Sequence, residues 1–305
     1  GCPEKVVDFF PSEGGLLVVR ERHLELLGDD GAALATVDSP RDLTAASFDG
    51  KRLAVADKAI LTVYDPKLTK LASGFLNESC ASSVIIGDDF VCGPANPDVR
   101  NFGTYSLADG ALRAISVTYS NEGTLMTPIP GHAEFFTIRS DAYLYQVAGS
   151  GAVEERGNGW PNERPQVVGG FDGNPASRWI DAAGHVFVIY GSTEKEFFVL
   201  EGDLGLMPKN PVRAMADDGA GALFRLVSGE AYSADAPCAA GCNLQRIDFA
   251  ARQVKKEISF RHRRASSVSK ARWDPFRRKL VVGFEIGGTG WGPAAGSELW
   301  QFDLD

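Results

Sequence analysis

The segment Ala46 to Gly74, ASFDGKRLAVADKAILTVYDPKLTKLASG, constrains the fold more than any other stretch of this chain. It strings together short runs of alternating apolar and polar residues, separated only by turn formers. Phe48-Asp49-Gly50-Lys51 is a tight turn, Arg52 to Ala56 alternates, Ile60 to Tyr64 alternates again, and Asp65-Pro66 breaks the run before Lys70 to Phe75. A period of two over such short runs marks half-buried strands, so the unit reads as four strands joined by turns. Nothing in it is chemically reactive: the unit predicts an architecture and no reaction.

The unit recurs from end to end, in about seven copies spaced by roughly 40 to 45 residues, the repeat length of four-stranded blades. Strands are expected at Val6 to Phe10, Leu16 to Arg20, His23 to Leu27 and Ala33 to Val37 in the first copy; Ala46 to Phe75 is the second. The third holds Ser82 to Ile86, Phe90 to Cys92, Gly103 to Leu107 and Leu112 to Val117, and the fourth Leu125 to Ile129, Glu134 to Ile138, Tyr143 to Val147 and Ala152 to Arg156. The fifth runs through Arg178 to Asp181, His185 to Tyr190, Glu196 to Leu200 and a weak outer strand near Leu206. The sixth has Val212 to Ala216, Ala222 to Val227, Leu244 to Phe249 and Val254 to Phe260; the last has Lys270 to Trp273, Lys279 to Phe284 and Glu298 to Leu304. That last copy lacks an outer strand, which must be missing or come from the residues before Val6.

Three of the third strands share a pattern: Leu61-Thr62-Val63-Tyr64-Asp65, Leu244-Gln245-Arg246-Ile247-Asp248 and Leu299-Trp300-Gln301-Phe302-Asp303 each end an alternating strand on Asp. This resembles the third strand of WD40-like and YVTN-type bacterial β-propellers, where an acidic residue opens the turn to the outer strand. The resemblance covers nearly the whole chain, but Gly-His early and Trp-Asp late in each repeat are absent, so the hydrogen-bonded His of true WD40 repeats is not carried over. It implies an all-β fold: a single propeller of seven four-stranded blades, the closing one incomplete, over residues 6–305, with residues 1–5 as a tether. It also implies scaffolding or ligand binding more often than catalysis.

No linker-like or low-complexity tract divides the chain, and no run approaches the roughly 18 apolar residues of a membrane span. Of five cysteines, Cys2 follows Gly1 as at the processing site of a bacterial lipoprotein, which makes Cys2 a lipidation candidate; the other reading is a plain terminal residue after a cloning remnant. Cys238-Ala-Ala-Gly-Cys242 is expected to be disulfide-bonded in an oxidising compartment, with metal binding as the rival. Cys80 and Cys92 are a weaker pair: a hairpin turning symmetrically at Asp88 sets Cys80 opposite Asn96, roughly 13 Å along the strand from Cys92. These features point to an exported protein, periplasmic or at the cell surface.

Reactive motifs are sparse. His23, His132, His185 and His262 are too scattered for a helix-borne metal pair, and no metal or cofactor is expected. Ser192 to Lys195 and Ser267 to Lys270 fit Ser-x-x-Lys, a nucleophile that needs a helical turn in a chain that reads as strands. Asp29-Asp30, Asp88-Asp89 and Asp217-Asp218 lack the ligand spacing of a calcium loop and suit turns. Glycines in Gly287 to Gly296 form a flexible loop rather than a phosphate cradle.

Charge is less even. Arg252 to Lys279 holds eleven Lys and Arg against Glu257 and Asp274, a net of +9 in a chain of net −9, so the rest carries −18. Solvation alone explains such a run; as a site it would take an anionic ligand, and the acidic whole excludes nucleic acid. Long connections, Pro94 to Phe102, Gly157 to Pro175, Ser228 to Asn243, Arg261 to Ser269 and Gly287 to Gly296, all follow second strands or join blades, and so share one end of the sheets. They carry Arg100, Trp160, Arg164, Arg263, Arg264 and Trp291, residue types that dominate interfaces. The expectation is a monomeric, non-enzymatic protein whose long-loop face binds a protein or an anionic cell-envelope ligand, with membrane contact only through Cys2. The alternative is a hydrolase or lyase at the mouth of a central channel lined by Arg178 and Arg272.

Overall fold

The computed structural model describes residues 4–77, 79–94, 102–113, 125–128, 134–138, 143–148, 153–158, 175–180, 186–190, 197–199, 212–218, 222–229, 238–248, 251, 253–287 and 296–304. All regular structure among them is strand, in seven antiparallel sheets whose strands pair in sequence order.

Val6–Arg156 form one compact unit. Its first sheet is β1 (Val6–Ser12), β2 (Gly15–Arg20), β3 (His23–Leu27) and β4 (Ala33–Asp38); its second is β5 (Ala45–Phe48), β6 (Leu53–Ala56), β7 (Ile60–Tyr64) and β8 (Lys70–Phe75). The third is β9 (Cys80–Ile86), β10 (Asp89–Pro94), β11 (Gly103–Ser106) and β12 (Leu112–Arg113), and the fourth β13 (Leu125–Pro128), β14 (Glu134–Ile138), β15 (Tyr143–Ala148) and β16 (Val153–Asn158). Gly157–Asp305 make a second compact unit. It contains β17 (Pro175–Ile180), β18 (Val186–Tyr190) and β19 (Phe197–Val199); β20 (Val212–Asp217), β21 (Ala222–Ser228), β22 (Cys242–Asp248) and β23 (Gln253–Phe260); and β24 (Ala265–Asp274), β25 (Lys279–Ile286) and β26 (Gly296–Asp303). The outer strand expected near Leu206 lies outside the described residues. Glu4 and Lys5 cluster with the second unit, yet β26 has no fourth strand beside it among the described residues.

Within each unit the first strand of one sheet packs on the first strand of the next: β1 on β5, β5 on β9 and β9 on β13 in one, β17 on β20 and β20 on β24 in the other. Alternation explains how a sheet is covered on both faces. In β6, Leu53 and Val55 join Leu17, Val19 and Leu24 of the first sheet, while Ala54 and Ala56 join Ile85, Phe90 and Tyr105 of the third. In the second unit Phe224, Leu226 and Leu244 meet Leu280, Val282 and Phe284, and Trp273 stacks on Phe224 at 4.7 Å. Burial falls outward, from the wholly apolar interior of β2 and β6 to the half-exposed β4, β8 and β23.

Aspartates shape the turns. Asp65 Oδ1 accepts the amides of Lys67 (2.9 Å) and Thr69 (2.7 Å), and Asp248 Oδ1 that of Ala251 (2.8 Å), so the acidic end of the third strand opens the turn outward. Asp30 and Asp218 accept amides in the same way. Asp88 does more: Arg52, gripping Asp49 in its own turn, donates to Asp88 Oδ1 and to the Gly87 carbonyl, which ties the second sheet to the third.

Two expectations need correction. Cys80 and Cys92 are disulfide-bonded, with Cα atoms 5.3 Å apart. The hairpin turns on Gly87-Asp88, since Ile86 pairs with Asp89, and a register shift between Gly93 and Pro94 brings Cys80 opposite Pro94. Cys92 is then two residues away on the same face, a diagonal neighbour rather than one displaced by four. Arg261 to Ser269 is not a long loop either. β24 begins at Ala265, opposite Ile286, and carries two irregularities of register, before Ser267 and before Lys270.

Candidate functional site: a basic turn over a buried histidine

In the second unit the connections 229–241, 261–264 and 287–295 leave the same end of their sheets, because Ser228, Cys242 and Phe260 share one register row and Ala265, Ile286 and Gly296 another. The described ends of the first are joined to each other. Gly229 N–H donates to the Gly241 carbonyl (2.7 Å), and Cys238 and Cys242, both fully buried, form the expected disulfide. A side chain at Gly229 would stand 2.6 Å from the Gly241 oxygen.

The four-residue turn Arg261-His262-Arg263-Arg264 sits on this platform. His262 N–H donates to the Cys238 carbonyl (3.0 Å), and the Ala265 amide returns to the His262 carbonyl. The imidazole is 3% exposed, stacked on Trp300 (centroids 4.4 Å apart) and tilted against Phe284 (4.6 Å). The three arginines are exposed. Arg264 is paired with Glu298; Arg261 and Arg263 have no ion-pair partner among the described residues.

Glu298 is the hub. Its Oε1 accepts from Arg264 Nη2, its Oε2 accepts from the Trp300 indole N–H (3.2 Å), and the same Oε2 lies 3.1 Å from His262 Nε2. The imidazole nitrogen is close to the carboxylate but out of line for a hydrogen bond, so a buried nitrogen is left unsatisfied beside a charge already in use. Burial lowers the His262 pKa and the Arg264 charge lowers it further, against the opposing pull of Glu298.

A second polar row crosses the neighbouring sheet. Arg225, Gln245 and Glu257 stand in one register line; Arg225 Nε donates to Gln245 Oε1 (2.7 Å), and Gln245 passes a hydrogen bond to Glu257. Burial pulls the Arg225 pKa down to about 10, with Glu257 opposing it. This row runs from interior to surface and braces the sheet.

Of the residues singled out from sequence, Arg263 and Arg264 share the turn just described. Arg100, Trp160, Arg164, Trp291 and Cys2 lie outside the described residues, as do His132 and His185. Arg178 stands on β17 and the half-buried Arg272 on β24, both first strands. Asp274 caps its turn, accepting the Phe276 and Arg277 amides, and Ser267 shares a strand with Lys270 rather than a helical turn. Sequence reasoning missed His262, Glu298 and Trp300. The available signal was alternation: Glu298 and Trp300, two apart on β26, must share a face.

Four-stranded meanders packed through their first strands are β-propeller blades, and the comparisons agree on that class. No protein-family model matches the chain, and no curated protein matches it in sequence. Among solved structures, the chain is similar to U3-55K (TM-score 0.66, 9% identity, 96% of this chain and 92% of that one). It is also similar to the Cps50 (Swd1) β-propeller domain of Myceliophteria thermophila (0.63, 8%, 100% and 98%) and to BamB from Moraxella catarrhalis (0.54, 11%, 97% and 87%). At such identities the likeness defines a fold, that of the β-propellers, and leaves function to this chain's own residues.

Proposed function

We propose that this chain is an exported, non-enzymatic scaffold, residues 6–305 acting as one propeller domain, that binds an anionic protein or cell-envelope ligand at its long-connection end. The observation that carries the reading is the turn 261–264: exposed positive charge, two of its guanidinium groups without an ion-pair partner among the described residues, on a backbone anchored to the carbonyl of the disulfide-bonded Cys238 and a histidine in a buried aromatic stack. Rigid support lowers the ordering cost of binding, and guanidinium groups suit carboxylate or phosphate partners. Export is supported by two disulfides, which persist in oxidising compartments. Arg100, Trp160, Arg164 and Trp291, on connections of the same class, would supply further charge and apolar anchors.

The test compares Arg261→Ala with Arg263→Ala against a double variant at the opposite end, Arg278→Asn with Lys279→Gln. An immobilised ten-residue Asp-rich peptide is the probe, at low salt and in 0.5 M salt. The first variant is expected to slow association about tenfold at low salt, a difference that high salt erases. Equal association rates for both variants would remove the reading.

A further inference from the structure

We propose that His262 and Glu298 form a latch on Arg264: a proton on His262 draws Glu298 to the imidazole, frees Arg264, and so strengthens capture of an acidic protein segment as pH falls. The proposal rests on the reading of turn 261–264 as a binding surface.

The geometry is that of one carboxylate with two cationic claimants. Glu298 Oε2 already stands 3.1 Å from His262 Nε2, while Oε1 holds Arg264. With His262 neutral, the carboxylate belongs to Arg264, and its misaligned approach leaves Nε2 unsatisfied. Among the described residues, a protonated Nε2 buried between Trp300 and Phe284 has only Glu298 to neutralise it, and an unpaired charge there is far costlier than one on the exposed Arg264. Glu298 therefore turns inward. Other groups facing His262 do not compete: β25 and β26 present Phe284 and Trp300, the disulfide connection presents the Cys238 carbonyl to the backbone, and Arg261 and Arg263 are exposed on the turn itself. Glu230 and Asp235, in the connection 229–241, lie outside the described residues. Counted against the described residues, the turn changes from two unpaired guanidinium groups to three, with one added unit of positive charge. A single charge close to an anion in a water-like dielectric alters affinity about fivefold.

An acidic protein segment fits because carboxylates ordinarily lose their protons near pH 4 and so stay ionised below the ordinary imidazole value of 6.5, on the side to which burial moves His262. Two measurements decide. In solution NMR of the wild-type protein, the Arg264 Nε–Hε resonance should move with the midpoint of the His262 ring; a ring that titrates while Arg264 stays still overturns the latch. With the Asp-rich peptide, wild-type affinity should rise about fivefold as pH falls from 8 through the His262 midpoint that the ring titration gives, Glu298→Gln should bind at pH 8 as wild type does below that midpoint, and His262→Asn should be flat. A rise that survives in His262→Asn also overturns it. Should wild type fail to bind the peptide at any pH, the binding reading falls while the NMR titration still decides the latch.

Discussion

Replacing both Cys80 and Cys92 with alanine should weaken this protein more than replacing Cys238 and Cys242, although all four sulfurs are buried to the same degree. A disulfide acts largely by restricting the unfolded chain, and the restriction grows with the logarithm of the loop it closes. The two bonds span sequence separations of 12 and 4. The chain-entropy relation then assigns about 3 kcal/mol to Cys80–Cys92 and about 2 kcal/mol to Cys238–Cys242. Packing losses on removing sulfur are common to both pairs, and the His262 amide keeps its Cys238 carbonyl in the alanine variant, so the ranking follows loop length. Urea unfolding followed by tryptophan fluorescence measures the difference, with reduced wild type as a reference that should fall below either variant. An unchanged midpoint for Cys80→Ala with Cys92→Ala would show that these cysteines are not bonded in the native protein. A larger loss for the other pair would refute the loop-length argument.

Gly110 has φ +72°, and a Cβ there would stand 2.5 Å from the Gly74 amide nitrogen, backbone against backbone; Gly110→Ala should cost about 2–4 kcal/mol in urea unfolding. Gly31, with φ +77° and open space around it, should cost only about 1 kcal/mol on the same substitution. Because burial holds His262 below its ordinary value of 6.5, the unfolded chain takes the proton first: stability is full above about pH 6.5 and falls as pH drops toward the folded pKa. A set of urea midpoints between pH 8 and 5 should show that slope in wild type and lose it in His262→Asn. Gln245→Leu removes the acceptor of Arg225 Nε and should cost about 1–3 kcal/mol, while Glu257→Gln, at the exposed end of the same row, should cost less than 1 kcal/mol.

Local rules were enough for the strands and most turns. Alternation places His23–Leu27, Ile60–Tyr64, Lys70–Phe75 and Glu134–Ile138 as found, because a period of two is set by the pleat and needs no distant partner. Asp65 and Asp248 were legible for the same reason, since an aspartate bonds amides two to four residues ahead. Cys238 and Cys242, with Gly241 between them, stand in reach of each other from sequence alone.

Register and pairing of charge were not local. One residue in the placement of the hairpin turn, with one irregularity at Pro94, decided that Cys80 meets Cys92, and pairing with Ile286 drew Ala265 into a strand that the basic run had concealed. Arg263 and Arg264 could be read as charge, but that Arg264 is held by Glu298, 34 residues away, while Arg263 has no ion-pair partner among the described residues, follows from which strand packs beside the turn. His262 shows the difference most plainly. Its sequence neighbours are three exposed arginines, and it is buried only because Trp300 and Phe284, on two other strands, close over it. Short-range sterics and hydrogen bonding fix the elements, whereas burial, and with it the charge state of an imidazole, belongs to contacts that exist only once the sheets are packed.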